Sequence, residues 1–337
     1  MVPTIYDIAK LCNCSTTTVS KVLNRSGKIS EKKKEEILRV AKELGYVANK
    51  TASSLASSNK SSKMVGIILH VSENKSITHE MFSKILNAFR IEMEKHDYDI
   101  CFLRNINNDD SVSYESLVNA RGLDGVFILS ADVNNTKVQN LVNSDIPLVA
   151  FDILTAKYVI SSNNKEIVAK MVDYLVSLGH KNISFVYPHK YGVSKERYDG
   201  FRLGLERNHI EFKEEMVVDA PYYCKDSAKI AIDKSLKDNP NATVIMLPDD
   251  YTAVNAISYL RKLNKKVPLN ISLTGFDGIE LANAVRPSLV TVRQDVERLG
   301  LEAAKLLLKQ ICHEEIEHPH SIVEATILRG KSVAKIN

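Results

Sequence analysis

The sequence predicts an α/β protein with an N-terminal three-helix helix-turn-helix domain and a larger two-lobed core of parallel sheets covered by helices. Three observations lead to this prediction. Apolar residues recur at helical spacing over residues 1–47, and a serine-rich stretch follows over residues 48–62. Short apolar runs then alternate with amphipathic segments through the remainder of the 337 residues, a length typical of roughly two to three domains.

The first 47 residues carry the start and stop signals of three short helices. Thr4 caps the first helix, and Ser15 caps the second after the tight stretch Cys12-Asn13-Cys14. Ser30 caps the third helix, which Gly45 ends as a glycine just beyond the last turn. Two short helices joined by such a turn form a helix-turn-helix, so we expect one small helical domain here.

Positive charge is concentrated at the N-terminus. Residues 1–60 contain 11 Lys and Arg against 5 Asp and Glu, a net charge of +6, and the remaining residues carry a net charge of −2. This asymmetry indicates an anionic partner for the N-terminal segment, most commonly a phosphate backbone, although solvated helix faces would give the same count. The serine-rich residues 48–62 have little apolar surface and are typical of a hinge or linker.

Residues 63–337 alternate between strand-like and helix-like segments. Apolar runs occur at 64–71, 99–103, 125–129, 146–151, 183–187, 217–218, 243–247 and 271–276. Short runs that are apolar on both faces and separated by helices predict parallel sheets covered on both sides. The strands are too many for one such sheet, so we expect two lobes with a cleft between them. We place lobe one at about 63–151 and 293–318, and lobe two at about 161–287 and 320–330.

Several classes of protein are disfavoured. The sequence has no stretch of ~18 apolar residues and no secretory signal at its start, and its five cysteines are scattered, which fits reduced thiols in the cytoplasm. It lacks the G-x-S-x-G, Walker A and G-x-G-x-x-G motifs, so we expect neither an enzyme nor a bound cofactor. His313 and His318 are five residues apart, which does not place them on one helix face, and we expect no metal site.

Two sets of motifs identify a resemblance to a known family. The N-terminal set reads Thr4-Ile5-x-Asp7-Ile8-Ala9-Lys10, Ser15-x-x-Thr18-Val19-Ser20-Lys21-Val22-Leu23-Asn24 and Leu44-Gly45-Tyr46. The core set reads Leu178-Gly179-His180-Lys181-x-Ile183, Lys195-Glu196-Arg197-x-x-Gly200-Phe201, Asp249-Asp250, Gly275-Phe276-Asp277 and Thr291-x-x-Gln294-Asp295. In these motifs the chain resembles the lactose-repressor (LacI/GalR) family of bacterial transcription regulators over nearly its whole length.

The resemblance implies a DNA-binding surface on the second helix. Short polar side chains at the start of a recognition helix read base edges in the major groove, and this role falls to Thr16 and Thr17, with Thr18 nearer the backbone. Lys21 lies one turn further on, within reach of guanine acceptors or a phosphate. Many family members have Arg at this position, whose planar fork Lys lacks, so base preference is expected to be looser. Helix capping alone is the other explanation for the three threonines.

The remaining expected DNA contacts set the register of the protein or lie in the linker. The full expected set is Thr4, Ser15, Thr16, Thr17, Thr18, Ser20, Lys21, Asn24, Lys28, Asn49, Ala52 and Leu55. By resemblance, Leu55 wedges into a central base step from the minor groove, whereas packing of this leucine on lobe one is the alternative. Ala48 replaces a frequent Pro and Ser53 a frequent Arg, so the hinge is expected to be less pre-organised.

The core resembles the sugar-sensing domain of the family, which is itself similar to periplasmic sugar-binding proteins. A polyol needs a cleft with aromatic faces and polar groups, and open parallel sheets bind ligands at the carboxyl ends of their strands. The effector-binding residues implied by the resemblance are His70, Asp152, Arg197, Tyr222, Asp249 and Asp277, with Tyr223 an alternative to Tyr222. For the charged members, ordinary salt bridges between the lobes are the alternative explanation.

Three departures from the family pattern leave the ligand open. Asn163-Asn164 stands where Asp-Asn is frequent, Ile153 stands where an Arg often follows, and residues 72–81 lack a frequent Asn-Pro-Phe. We therefore expect a small-molecule effector that is a sugar or a sugar phosphate, without specifying it.

The predicted function is a sequence-specific transcription regulator, most commonly a repressor of carbohydrate-utilisation genes. A homodimer would bind palindromic operator DNA, with a higher oligomer left open, and an effector in the cleft would control its operator affinity. The alternative is a regulator of the same fold controlled by a protein effector such as a phosphorylated carrier protein. An enzyme or transport receptor is disfavoured by the helix-turn-helix.

Overall fold

The structure is a computed structural model, and it describes residues 3–23, 27–46, 61–70, 77–104, 106, 111–188, 192–220 and 226–336. The chain divides into two compact units, Met1–Lys63 and Met64–Asn337. The expected site residues Asn24, Asn49, Ala52, Leu55 and Tyr222 lie outside the described residues, and so do the wedge and hinge interpretations that rest on them.

The N-terminal unit contains three helices around a small apolar core. They are α1 (Ile5–Leu11), α2 (Thr16–Leu23) and α3 (Glu31–Glu43). At the start of α1, the backbone N–H and the hydroxyl of Thr4 both donate to Asp7 Oδ2 at 2.7 Å, which lowers the pKa of this exposed carboxyl. The buried side chains are Ile8, Ala9, Cys12, Val19, Val22, Ile37, Val40 and Ala41. Apolar residues at helical spacing therefore meet at one point where the three helices cross.

The larger unit contains two six-stranded sheets. Its strands are β1 (Met64–Leu69), β2 (Asp99–Phe102), β3 (Gly125–Ser130), β4 (Leu148–Phe151), β5 (Val159–Ser162), β6 (Ile183–Val186), β7 (Val217–Val218), β8 (Val244–Met246), β9 (Ser272–Asp277), β10 (Val290–Arg293), β11 (His320–Val323) and β12 (Thr326–Leu328). The first sheet has the order β11-β5-β4-β3-β1-β2 and the second β12-β10-β9-β8-β6-β7. All pairings are parallel except that of β10 with β12.

Helices cover these sheets. They are α4 (Glu80–Lys95), α5 (Tyr114–Arg121), α6 (Thr136–Val142), α7 (Asn164–Ser177), α8 (Gly192–Arg207), α9 (Ser227–Asp238), α10 (Asp250–Lys262), α11 (Glu280–Ala284) and α12 (Val296–Ile311). Among the described residues, no helix combines the length and the apolar character needed to cross a membrane. The α/β class with a helix-turn-helix and parallel sheets is as predicted.

The boundaries of the lobes differ in detail from those expected. The sequence predicts residues 320–330 to lie in lobe two, but β11 pairs with β5 at the edge of the first sheet, and only β12 joins the second. Ser161, the expected start of lobe two, lies in β5 and therefore still belongs to the first sheet. Strand β11 lies at the edge of its sheet, where it is covered less completely than a central strand, and its side chains are partly exposed. Its sequence therefore contains no apolar run that would predict a strand.

Glycines allow one pair of helices in each lobe to pack at very short distance. In lobe two, a Cβ added to Gly200 on α8 would lie 2.2 Å from the carbonyl oxygen of Lys165, and one on Gly204 would lie 2.5 Å from Val172 Cβ. In lobe one, a Cβ added to Gly300 on α12 would lie 2.3 Å from the carbonyl oxygen of Ile85. Each helix pair is thus held backbone against backbone, where even one methyl group does not fit.

We expect Gly200→Ala to lower the free energy of unfolding of the core by about 1–3 kcal/mol, because the added methyl would force α7 and α8 apart. Equilibrium urea denaturation followed by circular dichroism measures this loss. Glu206→Ala on the exposed face of the same helix is the matched control and should change stability by less than about 0.5 kcal/mol. Equal effects of the two substitutions would contradict the close contact.

Candidate functional site

The start of α2 presents polar side chains to solvent. Ser15 Oγ accepts the backbone N–H of Thr18 at 3.1 Å and lies 2.9 Å from Thr18 Oγ1, so these two side chains stabilise the helix start. Val19 and Val22 are buried in the unit, which leaves Thr17 exposed on the opposite side. The remaining expected α2 contacts, Thr16 and Ser20, are partly exposed, and Lys21 is exposed.

The lysines around this helix differ in their surroundings. Lys33 donates to the carbonyl oxygen of Cys12 and to Glu36, which joins α3 to the end of α1. Lys34 is paired with Glu31 at 2.6 Å. Lys28, by contrast, is exposed in the segment between α2 and α3. Two lysines of α3, Lys33 and Lys34, are thus paired with glutamates of the same helix.

In the core, four of the expected effector residues lie together where strands of both sheets end. Asp152 follows β4, Asp249 follows β8, and Asp277 is the last residue of β9. Burial raises the pKa of each of these carboxyls, and the positive charge of Arg197 on α8 opposes that rise at all three. Parallel sheets bring the carboxyl ends of their strands to one edge, which explains why residues distant in sequence converge here.

Arg197 is buried and held on several sides. Its Nε donates to Asn164 Oδ1 at 2.9 Å, and its Nη1 donates to the carbonyl oxygen of Pro248 at 3.3 Å. The guanidinium carbon lies 3.5 Å from the centroid of the Phe276 ring. Stacking and hydrogen bonds therefore fix the plane of the guanidinium in lobe two, beside the carboxyls.

Asp249 and its neighbour Asp250 are bound within the protein. Asp249 caps α10, accepting the backbone N–H and the hydroxyl of Thr252, each at 2.7 Å. Asp250 accepts the backbone N–H groups of Gly278 and Ile279 at 2.8 and 3.0 Å and the hydroxyl of Thr291 at 2.6 Å. Burial nevertheless raises the pKa of Asp250 to about 7. Asp249 therefore stabilises the start of α10, whereas Asp250 holds the residues that follow Asp277.

Asp152 and Asp277 each retain a buried oxygen that accepts nothing. Asp152 Oδ1 and Asp277 Oδ2 are both inaccessible to solvent and have no hydrogen-bond partner in the described part of the chain. The other oxygen of Asp277 accepts from Gln294 Nε2 at 2.9 Å. Burial raises the pKa of Asp152 to about 7 and that of Asp277 well above its ordinary value. Both residues have positive φ, 56° and 111°, a conformation that favours glycine.

Gln294 joins the two lobes behind Asp277. Its Oε1 accepts the hydroxyl of Ser162 at the end of β5 at 2.7 Å, while its Nε2 donates to Asp277 and lies 3.0 Å from Met81 Sδ on α4. Asn163 joins two of the chain crossings, since its side chain donates to Glu324 and its Oδ1 accepts the backbone N–H of Ala325 at 2.9 Å. The chain passes between the lobes at 162–164, 293–296 and 323–326, and amide side chains cross-link these three segments.

A second contact between the lobes lies at the start of α4. The Glu80 carboxylate accepts the backbone N–H of Glu280 at 2.9 and 3.1 Å, and Lys84 pairs with both glutamates at 2.8 and 2.9 Å. Nearby, the rings of His79 and Tyr251 are 5.0 Å apart. These contacts stabilise the arrangement of the lobes seen here.

His70 has a different set of partners from the other expected residues. Its Nδ1 lies 3.2 Å from the hydroxyl of Tyr114, its backbone N–H donates to the carbonyl oxygen of Ser130, and burial lowers its pKa. All of these partners belong to lobe one. His313 and His318 lie in the loop between α12 and β11, and the described residues contain no cluster of three or more metal-binding side chains.

Sequence reasoning did not assign Asn164, Asp250 or Gln294 to the site. Asp250 and Gln294 stood within the family motifs, but a motif does not show which of its members contact one another. No feature of the sequence indicates that the Asn164 side-chain oxygen accepts from Arg197, 33 residues away.

Comparison with known proteins identifies the family of the chain. A model described as bacterial regulatory proteins of the lacI family matches residues 4–49, and one described as a periplasmic binding protein-like domain matches residues 172–333. The chain is 31% identical over 339 residues to the probable HTH-type transcriptional repressor ExuR of Bacillus subtilis (strain 168), with 99% of each covered. The chain belongs to the LacI family. It is therefore a DNA-binding transcription regulator and not an enzyme.

Solved structures agree on the fold of this LacI-family regulator. The Lac repressor dimer bound to operator and the anti-inducer ONPF superposes with a TM-score of 0.82 at 20% identity, covering 99% of this chain and 100% of that one. The complex of the transcriptional regulator CelR with cellobiose gives a TM-score of 0.73 at 23% identity, covering 98% and 99%. At these identities the likeness establishes the architecture.

We expect Gln294→Leu in this LacI-family regulator to lower the free energy of unfolding by about 1–3 kcal/mol, because it leaves polar groups of Ser162 and Asp277 unpaired. Ser162→Ala should then cost less in the Gln294→Leu background than in the parent. Urea denaturation of the four proteins gives the coupling energy, expected at about 0.5–3 kcal/mol. The control Ser177→Ala, whose hydroxyl donates locally within α7, should cost the same in both backgrounds.

Proposed function

We propose that this regulator acts in the cytoplasm as a homodimer that binds a palindromic operator, and that a sugar in the cleft of its core controls operator affinity. The observation that carries the effector half is the convergence of Arg197 with Asp152, Asp249 and Asp277 at the carboxyl ends of strands from both lobes. The cytoplasm is where an operator-binding protein of bacteria meets its DNA.

The DNA-binding half of the proposal rests on α2. Thr16 and Thr17 are taken to reach base edges in the major groove, and Lys21 to reach a guanine acceptor or a phosphate, because the buried valines turn the rest of this helix outwards. Ser15, Thr18, Ser20 and Lys28 are assigned to phosphates, with Thr4 contributing at the start of α1. The Lac repressor, with which the chain shares its fold, was solved as a dimer on its operator, and two-fold symmetry of the protein requires a palindromic site.

The effector half of the proposal rests on the chemistry of the cleft. Sugar hydroxyls both donate and accept hydrogen bonds, so they pair with carboxylates and a guanidinium in one site. CelR, of similar fold, was solved with cellobiose. A ligand held by residues of both lobes stabilises one lobe arrangement over others. Where the arrangements differ in operator affinity, the effector and the operator change each other's affinity by the same factor. Control by a phosphorylated carrier protein, the alternative, has no support from the comparisons.

Lys21→Ala is expected to weaken operator binding and to reduce the slope of log K against log salt by about 0.9, the contribution of one phosphate contact, if Lys21 binds the backbone. If Lys21 instead contacts a base, Lys21→Ala should weaken the preference for one base at a single position of the operator. Fluorescence anisotropy on an operator selected from a random palindromic library distinguishes the two. Lys42→Ala, exposed on α3, is the control. Parent-like affinity, slope and preference in Lys21→Ala would exclude any contact.

Arg197→Lys is expected to abolish stabilisation by the effector while keeping operator binding, because lysine retains the charge but loses the fixed fork of donors. A thermal-shift screen against mono- and disaccharides, sugar phosphates and nucleosides provides the measurement, since a ligand at 100 times its Kd adds about 2.7 kcal/mol. Arg202→Lys, on the exposed side of α8, should respond as the parent does. An undiminished response in Arg197→Lys would remove Arg197 from the site.

A further inference from the structure

We propose that Cys12 and Cys14 are a pair of redox-active thiols that a peroxide oxidises to a disulfide, and that this oxidation weakens operator binding. The pair lies in the turn of the helix-turn-helix, between the end of α1 and Ser15, whose side chain stabilises the start of α2. Neither thiol takes part in the proposed contacts with DNA or with an effector. The inference therefore concerns a second signal, received by the DNA-binding unit itself, and it does not depend on the identity of the effector.

The backbone of the turn holds the two cysteines within the distance that a disulfide can bridge. The backbone N–H of Cys14 donates to the carbonyl oxygen of Ala9 at 3.0 Å, and Asn13, between the cysteines, has a φ of 44°. Residues two apart are separated by at most about 7 Å even in an extended chain, and this turn is folded back onto α1. Disulfides join residues whose Cα atoms are about 4.4–6.8 Å apart. A bridge between Cys12 and Cys14 therefore needs no movement of a distant segment.

The side chains of the two cysteines pack against the same apolar core. Cys12 is a member of that core and is only 1% exposed, whereas Cys14 packs against the core from its edge and is partly exposed. Both are free cysteines in this structure. The two sulfurs consequently lie on one side of the turn, as a bridge requires, and Cys14 is the one that a reagent can reach from solvent.

A positive charge lies beside this pair. The side-chain nitrogen of Lys33 on α3 donates to the carbonyl oxygen of Cys12 and to Glu36. The pKa of Lys33 is raised chiefly by the bond to Glu36 and also by interaction with both cysteines, which places the ammonium group near both sulfurs. Reactive cysteines occur at partly exposed sites with a cation nearby, and Cys14 meets both conditions. Burial raises the pKa of the Cys12 thiol, so this residue stays protonated until Cys14 has reacted.

The oxidation takes place in two steps with hydrogen peroxide as the oxidant. The Cys14 thiolate attacks one peroxide oxygen, so that an S–O bond forms, the O–O bond breaks and hydroxide leaves, which yields a sulfenic acid. The Cys12 sulfur then attacks the Cys14 sulfur, the S–S bond forms, and the hydroxyl group leaves with the Cys12 proton as water. Two electrons pass from the two thiols to the peroxide, and a dithiol reductant reverses the change.

The disulfide is incompatible with the packing of the reduced helix-turn-helix. A bridge brings the two sulfurs to about 2.0 Å, closer than free thiols can approach, so at least one side chain must leave its place. If Cys12 moves, it leaves a gap in the small core that it shares with Val19 of α2 and Ile37 of α3. Interiors are close-packed, so the helices shift to close such a gap. If Cys14 moves instead, the adjoining start of α2 moves with it. Either displacement weakens operator binding, because α2 carries the proposed base contacts.

The test uses the full chain and fluorescence anisotropy on an operator selected from a random palindromic library. Brief treatment with hydrogen peroxide should lower operator affinity at least about tenfold, and dithiothreitol should restore it. The tryptic peptide 11–21 contains both cysteines of the pair and none of the other three. When the protein is alkylated without reduction, this peptide should carry two alkyl groups before oxidation and none after it, as mass spectrometry would show.

Two variants test whether this pair causes the response. Cys14→Ser removes the thiol that attacks the peroxide, and Cys12→Ala removes the thiol that closes the bridge. In each variant the ratio of operator affinity before and after peroxide should stay near one. Cys312→Ser, at an exposed cysteine of the core, is the matched control and should respond as the parent does. The thermal midpoint of each reduced variant shows that it is folded, and Cys14→Ser carries the test alone if Cys12→Ala is unstable.

Each outcome supports or overturns the inference. Reversible loss of operator binding that accompanies the bridged peptide and disappears in Cys14→Ser supports it. A parent that keeps its operator affinity although peptide 11–21 is fully bridged would show that the disulfide does not control binding. Peroxide treatment that never bridges this peptide would overturn the pair itself. An undiminished loss in folded Cys14→Ser or Cys12→Ala would assign the response to another group and overturn the inference as well.

Discussion

The burial of the Arg197 guanidinium constrains the residues of both lobes that are packed around it. A charge removed from water is stable only when it is paired and its donors are satisfied, and here the partners come from α7, from the segment after β8 and from the strand ends of both sheets. Phe276 covers one face of the plane. Because these partners converge on a single group, displacement of any one of them alters the environment of the others.

The crossings between the lobes depend on the same region. Gln294 contacts Asp277 on one side and Ser162 on the other, so a residue facing the cleft is one hydrogen bond away from the segments on which the lobes hinge. Asn163 links the first and last crossings in a similar way. Movement of Asp277 on ligand binding would therefore act, through Gln294, directly on the segments that connect the two lobes. The Glu80 and Lys84 contacts lie at a separate point between the lobes.

The sequence predicted the class of fold and most of its elements because their signals are local. Helix caps, apolar runs and the motifs around Arg197 and Asp277 are readable without knowledge of the three-dimensional structure. The placement of β11 was wrong because a half-exposed edge strand has no apolar run, and its pairing with β5 joins residues far apart in sequence. For the same reason the sequence did not show that Lys33 donates to the carbonyl oxygen of Cys12, at the end of α1.

The close helix contacts at Gly200, Gly204 and Gly300 bear on how each lobe transmits movement. With backbones in direct contact, there are no long side chains between the helices to change rotamer and absorb a small displacement. Each lobe should consequently turn as a lever, in which a shift of a fraction of an ångström at the cleft becomes a larger displacement at the end furthest from the hinge. A sensor built this way can respond strongly to a ligand that itself moves very little.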